Sequence, residues 1–312
     1  MNTLLNYPLV SVVIATYNGE KFLDKQLESV LKQTYQNLEI IIVDDCSKDG
    51  TVSLINQYIE TDKRIKLFVN ERNLGYVKNF EKGLKLAKGE FIAPSDQDDI
   101  WIKEKIEVLM QEMGDHEIIY SNSELIDSTG NSLHKKLSDI KRLLSYDDCL
   151  TYAIGNTAAG HAMIVTKELV NRCFPFPTMI PHDYWLGFVA TCKMPIKFID
   201  LPLVQYRQHT QNVFGAVKVA EGRRKKAKQT KVDKLNLIRE RMRLLYEKCP
   251  AELTMQKKVY LDLVESYKDF SLPNDFKRMM LFFKHRDKIL AFKNKPAFRK
   301  WLFCFKMFYK IK

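Results

Sequence analysis

The sequence predicts an α/β fold: a mixed, mainly parallel sheet with helices on both faces, followed by a helical C-terminal extension. Two observations carry this expectation. Through about the first 95 residues, short apolar runs rich in β-branched residues alternate with stretches of three- and four-residue apolar spacing, as strands of a parallel sheet and their covering helices do. Past Arg207 the strand-like runs stop, and only helical periodicity continues toward Lys312.

Residues 9–15 (LVSVVIA) read as a buried strand, followed by a helix on which Phe22, Leu23, Leu27, Val30 and Leu31 recur on one face. Residues 38–43 form a second strand, 51–58 a second helix and 65–69 a third strand. Gly75 opens a helix with Phe80, Leu84 and Ala87 on one face, and residues 90–93 return to the sheet, completing βαβαβαβ. A short strand at 118–120, a hairpin signal at 127–131 and a strand near 162–166 follow. Helices are expected over 229–248, 253–270 and 276–292, the last two separated by Pro273, and Pro296 opens a final short one. A boundary near Ala216, followed by the charged connector 223–228, divides the chain into a larger unit, 1–216, and a basic helical region, 217–312.

With 46% hydrophobic residues the chain can bury a substantial core. No window of about 18 residues is free of charge, and residues 1–7 have neither a basic nor an apolar leader region. The expected location is therefore the cytoplasm. The six cysteines (46, 149, 173, 192, 249 and 304) form no C-x-x-C pair, which argues for reduced structural thiols and against a disulfide framework or a zinc site. The net charge of +12 is concentrated at the end: residues 276–312 hold twelve Lys or Arg against one acid, Asp287. There aromatics alternate with cations from Phe298 to Lys310. That pattern suits a helix in an anionic membrane interface, and equally a helix packed on the protein or on a second copy.

Ligands of open α/β sheets bind beyond the carboxyl ends of the strands, so the residues there are the candidates. The first strand is followed by Thr16-Tyr17-Asn18-Gly19-Glu20 and the second by residues 44–51, DDCSKDGT. A carboxylate at a central strand end can accept hydrogen bonds from a pyrimidine, and nearby amides can hold ribose. The same residues also read as ordinary helix starts. After the fourth strand comes Ser95-Asp96-Gln97-Asp98-Asp99-Ile100-Trp101. Three carboxylates in four positions repel one another unless a cation joins them, and their hard oxygens suit Mg²⁺ or Mn²⁺ bridging a diphosphate. A solvated acidic turn, with Trp101 as core, is the alternative.

Residues 9 to about 210 resemble the family 2 glycosyltransferases through T-Y-N-G, V-D-D-x-S-x-D-G-T, R-N-x-G, the D-x-D segment and a later acid, in order and spacing. The resemblance implies a single Rossmann-like GT-A domain that binds a nucleotide-sugar donor. It assigns Thr16, Tyr17, Glu20 and Asp44 to the base and ribose, with Arg72 close to the base. Asp96 would face the ribose and sugar, and Asp98 would bind Mg²⁺ or Mn²⁺. The later acid is Asp183, in Ile180-Pro181-His182-Asp183-Tyr184-Trp185. In the family it deprotonates the acceptor hydroxyl, and the anomeric centre inverts. Read alone, Asp183 caps a helix over 184–191, and His182 stands where many members have Glu. His209 follows the last strand, where some members place a histidine near the metal. Gly155-Asn156-Thr157, with Gly160 and His161, resembles the acceptor-side loop.

The strings around Asp96 and Asp183 look most like bacterial rhamnosyltransferases, implying dTDP-L-rhamnose as donor, with UDP-linked galactose, glucose or N-acetylhexosamines as alternatives. The transmembrane helices and Q-x-x-R-W motif of the processive synthases are missing, which points to one sugar per encounter. The implied acceptor is a growing surface saccharide, free or on a polyprenyl diphosphate. A nucleic-acid partner, suggested by the basic tail, is opposed by the strand-end acids, which would repel a phosphate backbone. An inactive glycan-binding relative is opposed by the presence of Asp96, Asp98 and Asp183.

Overall fold

The first half of the chain folds as its patterning predicts. The computed structural model describes residues 7–210 and 230–309. In it, β1 (Val10–Thr16), α1 (Glu20–Leu31), β2 (Leu38–Asp44), α2 (Thr51–Thr61), β3 (Ile65–Val69), α3 (Tyr76–Leu86) and β4 (Phe91–Ser95) alternate without interruption. β1 pairs parallel with β2 and β4, and β2 pairs parallel with β3. Val10, Val12 and Ile14 of β1 pack with Leu23, Leu27 and Val30 of α1 on one face. On the other, Val13 meets Val77, Phe80 and Leu84 of α3. Strands covered on both faces need apolar side chains in both alternating registers, which explains the continuous runs in the sequence.

The second half adds β5 (Ile100–Trp101), α4 (Lys105–Glu112), β6 (Ile118–Ile126), β7 (Ser132–Lys136), β8 (Met163–Thr166), α5 (Lys167–Cys173), α6 (His182–Thr191) and β9 (Lys197–Arg207). The sheet runs β3-β2-β1-β4-β8-β6-β9-β5, with β7 hairpinned onto β6. β8 is antiparallel to both β4 and β6, while β9 is parallel to β6, so the sheet is mixed. The three-residue strand expected at 118–120 extends to nine residues. Its second half, Ser121-Asn122-Ser123-Glu124, looks like a loop in sequence but is held by side-chain bonds: Asn122 Nδ2 donates to Asp200 Oδ1 at 2.6 Å and to Ser138 Oγ at 2.8 Å. Buried polar groups with partners are tolerated inside a sheet.

Five helices follow: α7 (Lys231–Lys248), α8 (Thr254–Ser266), α9 (Leu272–Lys284), α10 (Arg286–Ile289) and α11 (Ala297–Lys306). The expected boundary at Ala216 and the connector 223–228 lie outside the described residues. Leu235, Met242, Leu245, Tyr260 and Phe282 of these helices share one core cluster with Phe80 of α3 and Phe188 of α6. Pro273 does not separate helices; it lies in the first turn of α9, where its missing N–H would have no partner in any case. The helix expected to reach residue 292 instead stops at Lys284, with His285 as C-cap before α10. None of the helices among the described residues is long and apolar enough to cross a membrane. The cysteines that look scattered in sequence are not all scattered in space: the sulfurs of Cys149, Cys192 and Cys249 lie within 4.8 Å of one another.

Gly83 shows how closely α3 lies on the sheet, since a Cβ built there would be 2.4 Å from Val13 Cγ1 and 3.2 Å from Val43 Cγ2. In an open helix Gly→Ala gains about 1 kcal/mol. Here overpacking outweighs that gain, and Gly83→Ala is expected to lose about 1–3 kcal/mol in a denaturant titration. A stabilised variant would mean that helix and sheet can part.

Candidate active site

Parallel pairing brings the loops that follow β1, β2 and β4 to one edge. Thr16 stands opposite Asp44 across β1 and β2, and Ile14 opposite Ser95 across β1 and β4. Asp44 is fully buried there. Its carboxylate accepts from Thr16 Oγ1 at 2.9 Å, Ser47 N at 2.8 Å and Ser47 Oγ at 2.5 Å, which joins the two loops. Asp45 serves the scaffold, accepting from Asn70 Nδ2, Leu74 N and Gly75 N, so that Gly75, at φ +83°, can turn the chain into α3. Glu20 accepts from Gly50 N at 2.9 Å. Tyr17 leaves its ring exposed, and Arg72 is exposed on the loop between β3 and α3. Gln97, which the sequence did not single out, accepts from Tyr17 N at 2.8 Å and donates to Tyr17 O at 3.1 Å. It ties the first loop to the acidic one.

The acidic loop is gripped by the end of β9. Arg207 N donates to Asp99 Oδ1 at 2.9 Å and Arg207 Nε to the Asp98 carbonyl at 2.8 Å. His209, two residues further on, meets Asp98: Nε2 lies 2.7 Å from Oδ2, and the imidazole stacks on Phe22 with centroids 4.7 Å apart. The two residues expected to share a metal are therefore in direct contact. Beneath them, Asp99 is completely buried, its Oδ2 has no hydrogen-bond partner, and His161 Nδ1 stands 3.6 Å away. The same nitrogen is 3.8 Å from Asp96 Oδ2. Lys105, also buried, places its ammonium 3.2 Å from the centre of the Trp101 ring and donates to the His161 carbonyl at 2.6 Å. Trp101 is core, as the sequence allowed.

The electrostatics record the crowding. Desolvation first, then the charges of Asp98 and Asp183, push the Asp96 carboxyl up to about 7. Asp99 is raised well above the usual carboxylate range, by burial and then by Asp98 and Asp96. Burial, with the Lys105 charge second, lowers His161 to about 3, so its ring is neutral and offers a lone pair. Carboxylates and the neutral His161 imidazole around an orphaned buried oxygen form a donor set that fits a divalent cation. Sequence reasoning treated His161 as part of a loop and missed Lys105 and Arg207. A buried lysine within ten residues of an acid cluster was the available signal, but only the fold shows that it is buried.

Asp183 approaches the acidic loop from α6. It sits in the first turn of α6, which begins at His182 with Pro181 at the cap position, and its Oδ1 accepts from Tyr184 N at 2.7 Å. Asp183 is therefore not the N-cap. Its charge acts on Asp96 and on Tyr76, whose hydroxyl is raised to about 12 by desolvation and then by Asp183 and Asp96. His182 is buried and stacked on Phe80 at 3.8 Å, and neither ring nitrogen has a hydrogen-bond partner. A Cβ at Gly160 would fall 2.7 Å from His182 Nε2 and 3.3 Å from Asp183 Cβ. Packing between Phe80 and Gly160 thus positions the first turn of α6, which carries Asp183. Thr16, Tyr17, Glu20, Asp44, Asp96, Asp98 and His209 share the strand-end side, and the Asp183 charge reaches Asp96 there.

Residues 11–174 match the family model described as "Glycosyl transferase family 2". An uncharacterized glycosyltransferase of Haemophilus influenzae is 32% identical over 195 residues, covering 62% of this chain and 75% of that protein. The Escherichia coli protein named UDP-Glc:alpha-D-GlcNAc-diphosphoundecaprenol beta-1,3-glucosyltransferase WfgD is 35% identical over 180 residues, 57% of this chain and 68% of its own. Among solved structures, S. aureus TarS residues 1–349 in complex with UDP-GlcNAc superposes with a TM-score of 0.60 at 19% identity, covering 96% of this chain and 80% of that one. The chain belongs to glycosyl transferase family 2, has the GT-A fold and is a glycosyltransferase.

Proposed function

We propose that this enzyme transfers one sugar from a nucleotide-diphosphate donor to a hydroxyl of a growing bacterial surface glycan, with inversion at the anomeric carbon. The observation that supports the proposal is that Asp98 meets His209 on the acidic loop while Asp96 of the same loop feels the charge of Asp183. Residues 1–216 would form the catalytic unit and 217–312 its basic helical support. Thr16, Tyr17, Glu20, Asp44 and Arg72 would hold the base and ribose, and Asp96 the ribose and sugar. Asp98 and His209 would hold Mg²⁺ or Mn²⁺. The bound cation would neutralise charge on the departing diphosphate. Asp183 would take the proton of the acceptor hydroxyl as that oxygen attacks the face opposite the leaving group. A carboxylate can do so because it remains partly exposed in the first turn of α6.

The printed names of the relatives support a UDP-linked hexose or N-acetylhexosamine as donor, since WfgD is named for UDP-Glc and TarS is in complex with UDP-GlcNAc. The motif strings support dTDP-L-rhamnose. A panel of sugar nucleotides decides between them. The WfgD name also supports a polyprenyl-diphosphate-linked acceptor. We place the enzyme in the cytoplasm, at the inner face of the membrane and without a nucleic-acid partner. α11 buries Cys304 and Met307 against the protein but exposes Phe298, Trp301 and Phe305 beside Arg299 and Lys306. This leaves an aromatic, cationic face suited to anionic lipid.

Asp98→Asn is expected to lose on the order of 100-fold in Mn²⁺ affinity or Mn²⁺-stimulated turnover without unfolding, because the loop acid has no core role. Undiminished stimulation would remove Asp98 from the metal site. For the tail, replacing Phe298, Trp301 and Phe305 together with Ser should abolish co-sedimentation with anionic vesicles while retaining turnover of a soluble acceptor. Equal co-sedimentation of variant and parent would leave the exposed face without this role. Asp183→Asn keeps size and the bond to Tyr184 N but removes the proton acceptor. Transfer should fall by about 10²- to 10⁴-fold with donor affinity nearly unchanged, and near-normal transfer would put the base elsewhere.

A further inference from the structure

The cysteine cluster lies where three separate segments meet. Cys149 begins a short 3-10 helix, Cys149–Ala153; Cys192 is the C-cap of α6; and Cys249 is the C-cap of α7. Cys149 and Cys249 are buried and Cys192 is half-buried. All three sulfurs fall within 4.8 Å of one another. Zn–S bonds of about 2.3 Å in a tetrahedron put sulfurs roughly 3.8 Å apart. Small inward movements of the three side chains therefore suffice to bind one ion. The other three cysteines lie outside this group.

The surroundings favour a cation there. α6 and α7 both end at the cluster, so two sets of terminal carbonyls direct partial negative charge toward it, which disfavours isolated thiolates and favours a bound positive ion. The side chain of Lys257 reaches the same point from α8. Lys257 is itself fixed, donating to the Tyr246 and Cys249 carbonyls. Nearby, Tyr260 OH donates to the Cys149 carbonyl at 2.7 Å and stiffens that segment. A disulfide would use two of the sulfurs and leave the third without a role, whereas a soft metal ion uses all three.

We propose that Cys149, Cys192 and Cys249 form a three-thiolate site for a thiophilic divalent cation of the zinc class, clamping α7 to the unit that carries α6. The three thiols release their protons to solvent as the ion binds, and no oxidation occurs. A water on the exposed side of Cys192 would complete the tetrahedron. This site is separate from the Asp98–His209 pair in position and in donor chemistry.

The test is a cobalt titration of the reduced, chelator-treated full chain without oxygen. The expected result is thiolate-to-cobalt charge-transfer absorption saturating at about one equivalent, bleached by added Zn²⁺, with a zinc-dependent rise in Tm. Cys192→Ser, at the least buried of the three positions, and Cys249→Ser should each lose the band. Cys46→Ser and Asp98→Asn should keep it, since neither touches the cluster. The wild-type titration needs no variant to fold: absence of the band in reduced wild-type protein overturns the proposal. So does a non-reduced mass two hydrogens lighter, mapped to a bond between two of these cysteines, in protein that binds no cobalt after reduction.

Discussion

Three carboxylates on one loop at the end of β4 set the terms for the rest of this molecule. Asp99 is fully buried and Asp98 largely so, and the crowding raises the energy of ionised Asp96 and Asp99, as their upward shifts record. The fold answers with positive and neutral partners brought from distant segments. Arg207 secures the loop backbone, His209 meets Asp98, and Lys105 with His161 lies beneath Asp99. β9 must therefore run beside β6 and finish at the acidic loop, and the short β5 pairs with it there. Apo proteins with such a surplus of negative charge are poised to bind a cation, because binding relieves a repulsion that folding imposed.

The parallel strands supply the other constraint. Their register puts Thr16, Asp44 and Ser95 at one edge, and the hydrogen bonds of Asp44, Glu20 and Gln97 then link the loops pairwise. Under the proposed function a donor entering this edge would meet a surface already organised, so little ordering entropy would oppose binding. The surroundings of Asp183 are built differently. Asp183 is oriented by an apolar contact, His182 on Phe80, and by the close approach that Gly160 permits. Histidine in place of the expected glutamate thus acts through packing, since its ring nitrogens have no hydrogen-bond partner.

The C-terminal helices belong to the same core as α3 and α6. Buried Arg278 shows how firmly they are joined: its guanidinium donates to the Met307 carbonyl at 3.0 Å and the Ser266 carbonyl at 2.7 Å and pairs with Asp275. The basic charge of residues 276–312 is consequently carried on an ordered surface and not on a loose appendage as far as Tyr309. α6 connects the regions, with Asp183 in its first turn and Cys192 at its end.

The sequence by itself determined the α/β class, the order of the first seven elements and the identity of the strand-end motifs. Each depends on local periodicity or on residues adjacent in the chain, where a few positions fix which face is buried and which loop follows. Asp96, Asp98, Asp183 and His209 stood out as types of residue at motif positions, and the fold brings His209 against Asp98. Tertiary structure decided what no local pattern encodes. The strand through Ser121–Glu124 exists because Asp200 and Ser138 satisfy its buried amide, and Lys105 matters because the chain folds it under Asp99. Asp45 resembles Asp44 in sequence yet holds Asn70 and the turn at Gly75. The three cysteines share no spacing and meet only when α6 and α7 end at one point. Contacts between residues far apart in sequence arise from packing the whole chain, and packing is the part of the physics that a linear pattern does not contain.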